Sequence, residues 1–217
     1  QYNVANGFVT GTVNDGTVEP GNGDVYKPGE KLSGKITGGV VLIVSNENPE
    51  YALTAVEDPL AAGQCNLVMS KLTGDESQKF LVAYDSDNDI YSFLSMKYAN
   101  VEGNNADNKW VINAPNSGWA ADTAGNADNV NVVAVGHGNF QNGSWVMDEV
   151  ASGEYTLRRW RPGDQGALGY TVMAYMGIAG QLTEGVNVQA CANGGKMLTF
   201  NLVSPYSQTL ASGTYRI

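Results

Sequence analysis

"DESQKFLVAYDSDNDIYSFLS", residues 75–95, holds two runs rich in β-branched and aromatic residues, "KFLVAY" and "IYSFLS", on either side of "DSDND". Apolar runs flanking a short cluster of Asp and Asn predict a β-hairpin. Asn88 and Asp89 tolerate the positive φ that such a turn requires. Outward from this hairpin the same grammar continues. Before it stand "VVLIVSN" (40–46), "YALTAVE" (51–57) and "CNLVMSK" (65–71). After it come "KYANVEG", "KWVINAP", "WAADTAG", "VNVVAVG", "SWVMDEV", "EYTLRRW", "GYTVMAYM", "VNVQACA" and "MLTFNLV", with turn residues between them. Short strands at this spacing, without a 3.6-residue period, predict an all-β sandwich or barrel.

The composition agrees. The chain has 217 residues, 27 of them Gly, and only 16% charged residues, which favours turns and polar loops over long surface helices. A net charge of -10 repels phosphate backbones, so no nucleic-acid partner is expected. The longest apolar stretches, "VVLIV" at 40–44 and "YTVMAYMGIAG" at 170–180, are shorter than the roughly 20 residues that a spanning helix needs. No membrane span is expected, and the composition suits a secreted, extracellular or virion-surface protein. Cys65 and Cys191 are too few for a disulfide scaffold; one bridge closing a long loop and two buried thiols are both compatible with the spacing.

Residues 1–39 differ from the rest. Short β-branched pieces alternate there with Gly, Asn, Asp and Pro, and they predict an N-terminal extended arm that cannot form a core alone. Residues 40–217 form the expected domain. Within it, residues 40–84 run strand, turn, strand, Gly/Ala-rich loop, strand, polar loop and strand. The order recurs in 116–159 and again in 155–203. Three units of about four strands are the count for a β-trefoil, with a β-sandwich or jelly roll as the alternative. In the middle unit the second strand is ambiguous between "KYANVEG" and "WAADTAG". "SGTYRI" at the C-terminus reads as a further strand.

Several short pieces match one family. "SQKF" (77–80), "CNLVMS" (65–70), "SGWAAD" (117–122), "QNGSW" (141–145) and "GVNVQA" (185–190) resemble the unit motifs of ricin B-chain type β-trefoil lectins over residues 40 to about 203. The resemblance implies a non-catalytic surface recognition module that binds carbohydrate. It places Asp122 on the family's acidic position and Asn142 near its amide position, just before Trp145, with His137, Asn139 and Phe140 on the intervening loop as further contacts. A loop-capping carboxylate is the plain alternative for Asp122. In the first unit Thr54 replaces the acid and Ser70 stands where the aromatic belongs; in the third, Gln189 survives without an acid. The implied partners are glycans. Because two of three pockets are degenerate, the alternative is a structural subunit of a virion or filament that kept the fold. Its partner is then a protein assembly, including self-assembly through the N-terminal arm.

Catalytic signatures are missing from the sequence. His137 is the single histidine and has no nucleophile motif beside it, zinc would need more N or S ligands, and the carboxylate pairs are adjacent in strands that send neighbours to opposite faces. No enzyme is expected. No cofactor is expected either, except that Asp85, Asp87 and Asp89 put three carboxylates in one turn and admit calcium. An EF-hand is excluded, since Ile90 stands where Gly is required and Met96 where Glu is required. The basic run "LRRWRPGD" (157–164) reads either as an interface anchor or as an Arg-lined strand neutralising carboxylates.

Overall fold

The computed structural model describes side chains for residues 26–57, 66–97, 144–159, 175–178, 180–191 and 196–206, and backbone alone for 3–5, 8–10, 64–65, 110–113, 130–131 and 133–136. β1 (Asn3–Ala5) and β2 (Phe8–Thr10) form a small hairpin. The remaining strands are β3 (Val40–Ser45), β4 (Tyr51–Glu57), β5 (Gln64–Lys71), β6 (Lys79–Asp85), β7 (Ile90–Ser95), β8 (Trp110–Asn113), β9 (Val130–Asn131), β10 (Val133–Gly136), β11 (Trp145–Ala151), β12 (Glu154–Arg159), β13 (Tyr175–Ile178), β14 (Val186–Cys191), β15 (Lys196–Met197) and β16 (Phe200–Val203). One turn of 3₁₀ helix, Glu76–Gln78, precedes β6.

The pairing closes on itself. β3 pairs with β6, β6 with β7, β7 with β11, β11 with β12, β12 with β16, and β16 returns to β3. Those strands are the first and fourth of each unit, and together they make a six-stranded barrel with no free edge. The second and third strands form three hairpins, β4–β5, β8–β10 and β13–β14. Neighbouring hairpins are joined by pairings β5–β10, β14–β5 and β14–β9. A barrel of six strands capped by three hairpins is a β-trefoil. The described second strand of the middle unit is β8, within "KWVINAP"; of the stretches weighed for that place, "KYANVEG" beyond Lys97 and all of "WAADTAG" lie outside the described residues, as does "SGTYRI".

The register is threefold residue by residue. Phe80 sits opposite Val41, Trp145 opposite Tyr91, and Phe200 opposite Tyr155. On the other side the same three aromatics face Ser95, Arg159 and Ser45. Phe80, Trp145 and Phe200 are each 0% exposed and stand first or second in the fourth strand of their unit. They fill the barrel together with Val41, Ile43, Phe93, Tyr155, Leu157 and Leu202. Strand alternation sends these residues inward, which is why one aromatic per unit at this position suffices for a core with no helix.

β3 has no polar alternation because it is covered on both sides. Val41 and Ile43 point into the barrel. Leu42, Val44, Ala52 and Val203 form a second cluster, with Tyr26 and Leu72 packed against it. A strand buried on both faces reads as a continuous apolar run. Part of that outer cover comes from the arm. Residues 29–32 run antiparallel to the end of β16, with Gly29 N donating to Ser204 O, Ser204 N to Glu30 O and Leu32 N to Leu202 O at 2.8–2.9 Å. Tyr26 OH donates to Pro205 O at 2.6 Å. Ile36 then enters the core cluster, with Leu32 packed against it. Residues 26–36 thus spend these main-chain hydrogen bonds on this chain's own barrel.

The strap is fastened by carboxylates at two of the joints between units. Glu149 Oε1 accepts from Gly153 N at 2.7 Å and from Gly34 N at 3.2 Å, while Tyr155 OH donates to Gly34 O at 2.8 Å. At the other joint, Lys35 Nζ lies 2.9 Å from Asp89 Oδ1. The Gly153 and Gly34 amides hold the Glu149 carboxyl below its ordinary value. Lys35 and then Tyr84 do the same for Asp89. Burial, with the Glu149 charge nearby, pushes the Tyr155 hydroxyl up to about 12.

A carboxyl whose folded pKa is depressed stabilises the fold above its unfolded value and loses that contribution as the pH falls through the folded value. Stability is therefore expected to hold level above the ordinary values of 4.5 and 3.8 and to decline below them. Glu149→Gln should flatten part of that decline. Urea midpoints of both proteins from pH 7 to pH 3 are the measurement, and parallel curves for the two would refute the assignment.

Candidate functional site

The opening hairpin is the joint between the first and second units. Asp85 Oδ1 accepts from Asp87 N at 2.9 Å and Asn88 N at 3.4 Å, and its Oδ2 accepts from Asn88 Nδ2 at 2.8 Å. These contacts, the Asn88 amide foremost, hold the Asp85 carboxyl below its ordinary value. Asp89 takes the left-handed conformation at φ 54°, whereas Asn88, expected to share it, does not. Its carboxylate faces Tyr84, whose OH donates at 2.8 Å, and Lys35. Lys35 Nζ also lies 4.5 Å from the centre of the Tyr84 ring. Asp85 thus folds back on its own turn while Asp89 turns to the strap. The carboxylates of Asp85, Asp87 and Asp89 do not converge, and among the described residues no cluster of His, Cys, Asp or Glu suits a metal ion.

In the first unit, the place of the lectin acid is taken up by structure. Thr54 is 8% exposed, donates to Ala52 O at 3.0 Å and accepts from Gln78 Nε2 at 3.0 Å. Gln78 is 1% exposed and acts as a hub. Its Nε2 also donates to Lys71 O at 2.8 Å. Its Oε1 accepts from Thr73 N at 2.8 Å, Gly74 N at 2.9 Å and Thr73 OH at 3.2 Å. One amide thereby ties β4, the end of β5 and the loop into β6. Gly74 sits at φ 76° under the Tyr26 ring, so a side chain there would meet both a strained backbone and the ring. Two residues before the core aromatic, where Gln78 stands in the first unit, the other units have Gly143 and Leu198 in sequence, neither with an amide side chain.

The predicted sugar-binding residues divide sharply. Asp122, His137, Asn139 and Asn142 lie outside the described residues. Trp145 is described, and its ring is 0% exposed within the core cluster. It offers no face to a ligand; its place is the middle-unit counterpart of Phe80 and Phe200. The sequence signal that separates core from pocket was present, since "QKF", "GSW" and "LTF" put an aromatic at the same place in every unit. In "LRRWRPGD", Arg158 Nε lies 3.6 Å from Asp148 Oδ2 across the β11–β12 hairpin, and Arg159 is 6% exposed. Those two arginines serve the strand, one outside and one inside the barrel. Cys191 is buried, with its Sγ 3.8 Å from Ile178 O and 3.7 Å from Gln189 O.

No family model matches the sequence, and no curated protein is similar to it. Solved structures do resemble it. A mosquitocidal holotoxin aligns over 80% of this chain at 14% identity and TM-score 0.55, and this chain spans 18% of the toxin's length. ThreeFoil, a designed 3-fold symmetric protein, aligns over 76% of this chain and 98% of its own at 18% identity and TM-score 0.53. A ricin B-like lectin from Macrolepiota procera, solved with lactose, aligns over 80% of this chain and 100% of its own at 13% identity and TM-score 0.49. At such identities the likeness is one of fold, and the strand register together with the likeness to the first two structures makes this chain a β-trefoil.

Proposed function

We propose that this protein is a non-catalytic carbohydrate-recognition module, secreted or displayed at a surface, with its working pocket in the middle unit. The observation that carries the reading is the contrast between units. Thr54 in the first unit is buried and bound to Gln78, so that unit has no acid to offer a sugar hydroxyl. The middle unit supplies an acid, Asp122, and an amide, Asn142, in the order that the lectin motif requires, with His137 and Asn139 between them. A carboxylate and an amide together accept from and donate to a vicinal hydroxyl pair, while His137 or Phe140 covers the apolar face of the ring. Trp145, three residues beyond Asn142, is buried in the core and not part of the proposed pocket.

The test is a glycan array probed with the full chain, alongside Asp122→Ala combined with Asn142→Ala. Binding to at least one glycan class is expected, with a loss of tenfold or more in the double variant and no change in thermal midpoint. Binding that survives the double variant removes the pocket from the middle unit. Absence of binding to any glycan removes the carbohydrate reading itself.

A further inference from the structure

Residues 33–38, "SGKITG", lie between two fixed points. On one side Leu32 N donates to Leu202 O at 2.8 Å; on the other Val82 N donates to Gly39 O at 2.9 Å, where Gly39 turns the chain at φ 91°. Between these points the segment passes from the β11–β12 turn, where Gly34 meets Glu149 and Tyr155, to the β6–β7 turn, where Lys35 meets Asp89. Each of those turns joins the fourth strand of one unit to the first strand of the next, so both lie at the end of the barrel opposite the cap hairpins. The segment therefore crosses that end of the barrel. Tyr91 and Tyr155, the second residues of β7 and β12, belong there to the core cluster, and Ile36 joins them.

What holds the middle of this segment differs in kind from what holds its ends. The ends are main-chain hydrogen bonds, which do not titrate. The middle rests on two exposed carboxylates, Glu149 accepting from Gly34 N at 3.2 Å and Asp89 facing Lys35 Nζ at 2.9 Å, with the neutral Tyr155 OH to Gly34 O bond and the burial of Ile36 beside them. We propose that residues 33–38 are an acid-released lid over this end of the barrel, which lifts when Glu149 and Asp89 take up protons while residues 29–32 and the barrel strands stay paired. The groups that face Glu149 are Lys31 and Tyr155, and those that face Asp89 are Lys35, Tyr84 and Tyr91. Lysine and tyrosine do not titrate in acid, so the response belongs to the two carboxyls. Asp85, on the same turn as Asp89, titrates in acid too, but its bonds stay within the turn. Both lid carboxyls are held below their ordinary values of 4.5 and 3.8. Their contacts are therefore complete above those values and are lost as the pH falls through the folded ones.

A lid opens locally, which separates it from the general loss of stability in acid. NMR of the full chain from pH 7 down to pH 2.5 reads the difference without any variant. Broadening of the Ile36 methyl signals by a soluble nitroxide should rise about fivefold, the population change that goes with losing weak, solvent-exposed contacts. The exchange protection of the Gly34 amide should fall by a similar factor. Over the same range the Leu32 and Val82 amides, which tie down the two ends, and the Ile43 methyls inside the barrel should change less than twofold. Glu149→Gln combined with Asp89→Asn removes both charges at nearly constant shape. This double variant should show at pH 7 the Ile36 broadening that the parent shows at pH 2.5, with little further change in acid. Ile36 methyls as well shielded at pH 2.5 as at pH 7 would overturn the lid. So would Ile36 and Ile43 becoming accessible together, which is unfolding of the whole barrel, or an acid response undiminished in the double variant.

Discussion

Trp145→Ala is expected to cost about 3–5 kcal/mol of folding stability, the range for truncating a large buried aromatic that leaves a cavity its surroundings cannot close. The indole is 0% exposed and belongs to the core cluster that includes Phe80 and Phe200. The closed barrel resists collapse, because each strand is held on both sides by a hydrogen-bonded neighbour. Such a loss is a large share of the 5–15 kcal/mol that separates most domains from their unfolded chains. Trp145→Phe, which restores the type found in the other two units, should recover more than half of it. Equilibrium urea denaturation with an unchanged slope is the measurement. A loss under 1 kcal/mol would place the ring outside the core.

The second large effect belongs to Gln78. Replacing it with Leu keeps the volume and removes the amide, so the Thr73 and Gly74 N–H groups, the Lys71 carbonyl and the Thr54 hydroxyl lose their partner together. Each buried polar group left alone costs about 1–3 kcal/mol, and water entering from the loop side relieves part of this. A total of about 3 kcal/mol is expected. Amide exchange at Thr73 and Gly74 should rise before the barrel strands exchange, because the hub fastens the loop as well as the fold. A substitution that leaves exchange at both amides unchanged would show that something other than Gln78 holds this loop. Leu198, the equivalent residue in the third unit, provides the contrast: it is 2% exposed and packs in the core cluster without any such network.

Both effects trace to one pattern that was legible in the chain itself. "QKF" at 78–80 and the aromatics of "GSW" and "LTF" mark the start of a fourth strand in each unit, and alternation of apolar residues along "KFLVAY", "IYSFLS" and "EYTLRR" marks inward faces. Local chemistry fixes such features, because period-two alternation and turn residues act within a few residues of chain. The same locality explains the joint at "DSDND", where Asp85 and Asp89 take the places that turn geometry assigns them.

The middle unit was harder. Its second strand is only four residues long, Trp110–Asn113, and is flanked by Gly/Asn/Ala-rich chain, so neither length nor alternation singles it out from "KYANVEG" or "WAADTAG". The carboxylate turn illustrates another limit. Three aspartates at alternate positions are compatible with a cation site in sequence, and only the side-chain directions show Asp85 turned back on the turn and Asp89 turned to Lys35.

Amino-acid order alone determined the all-β class, the three units, the hairpin that joins the first two, and the acidic, glycine-rich composition. Tertiary structure decided what distant residues do to each other. It set Trp145 inside the barrel, made Thr54, which stands where the lectin motif has its acid, a partner of Gln78, and laid residues 26–36 across the barrel to meet Glu149 and Asp89. The physical reason is range. Strand and turn preferences are written in neighbouring side chains, whereas partnership depends on register, and register is fixed only when the barrel closes and every strand finds its second neighbour.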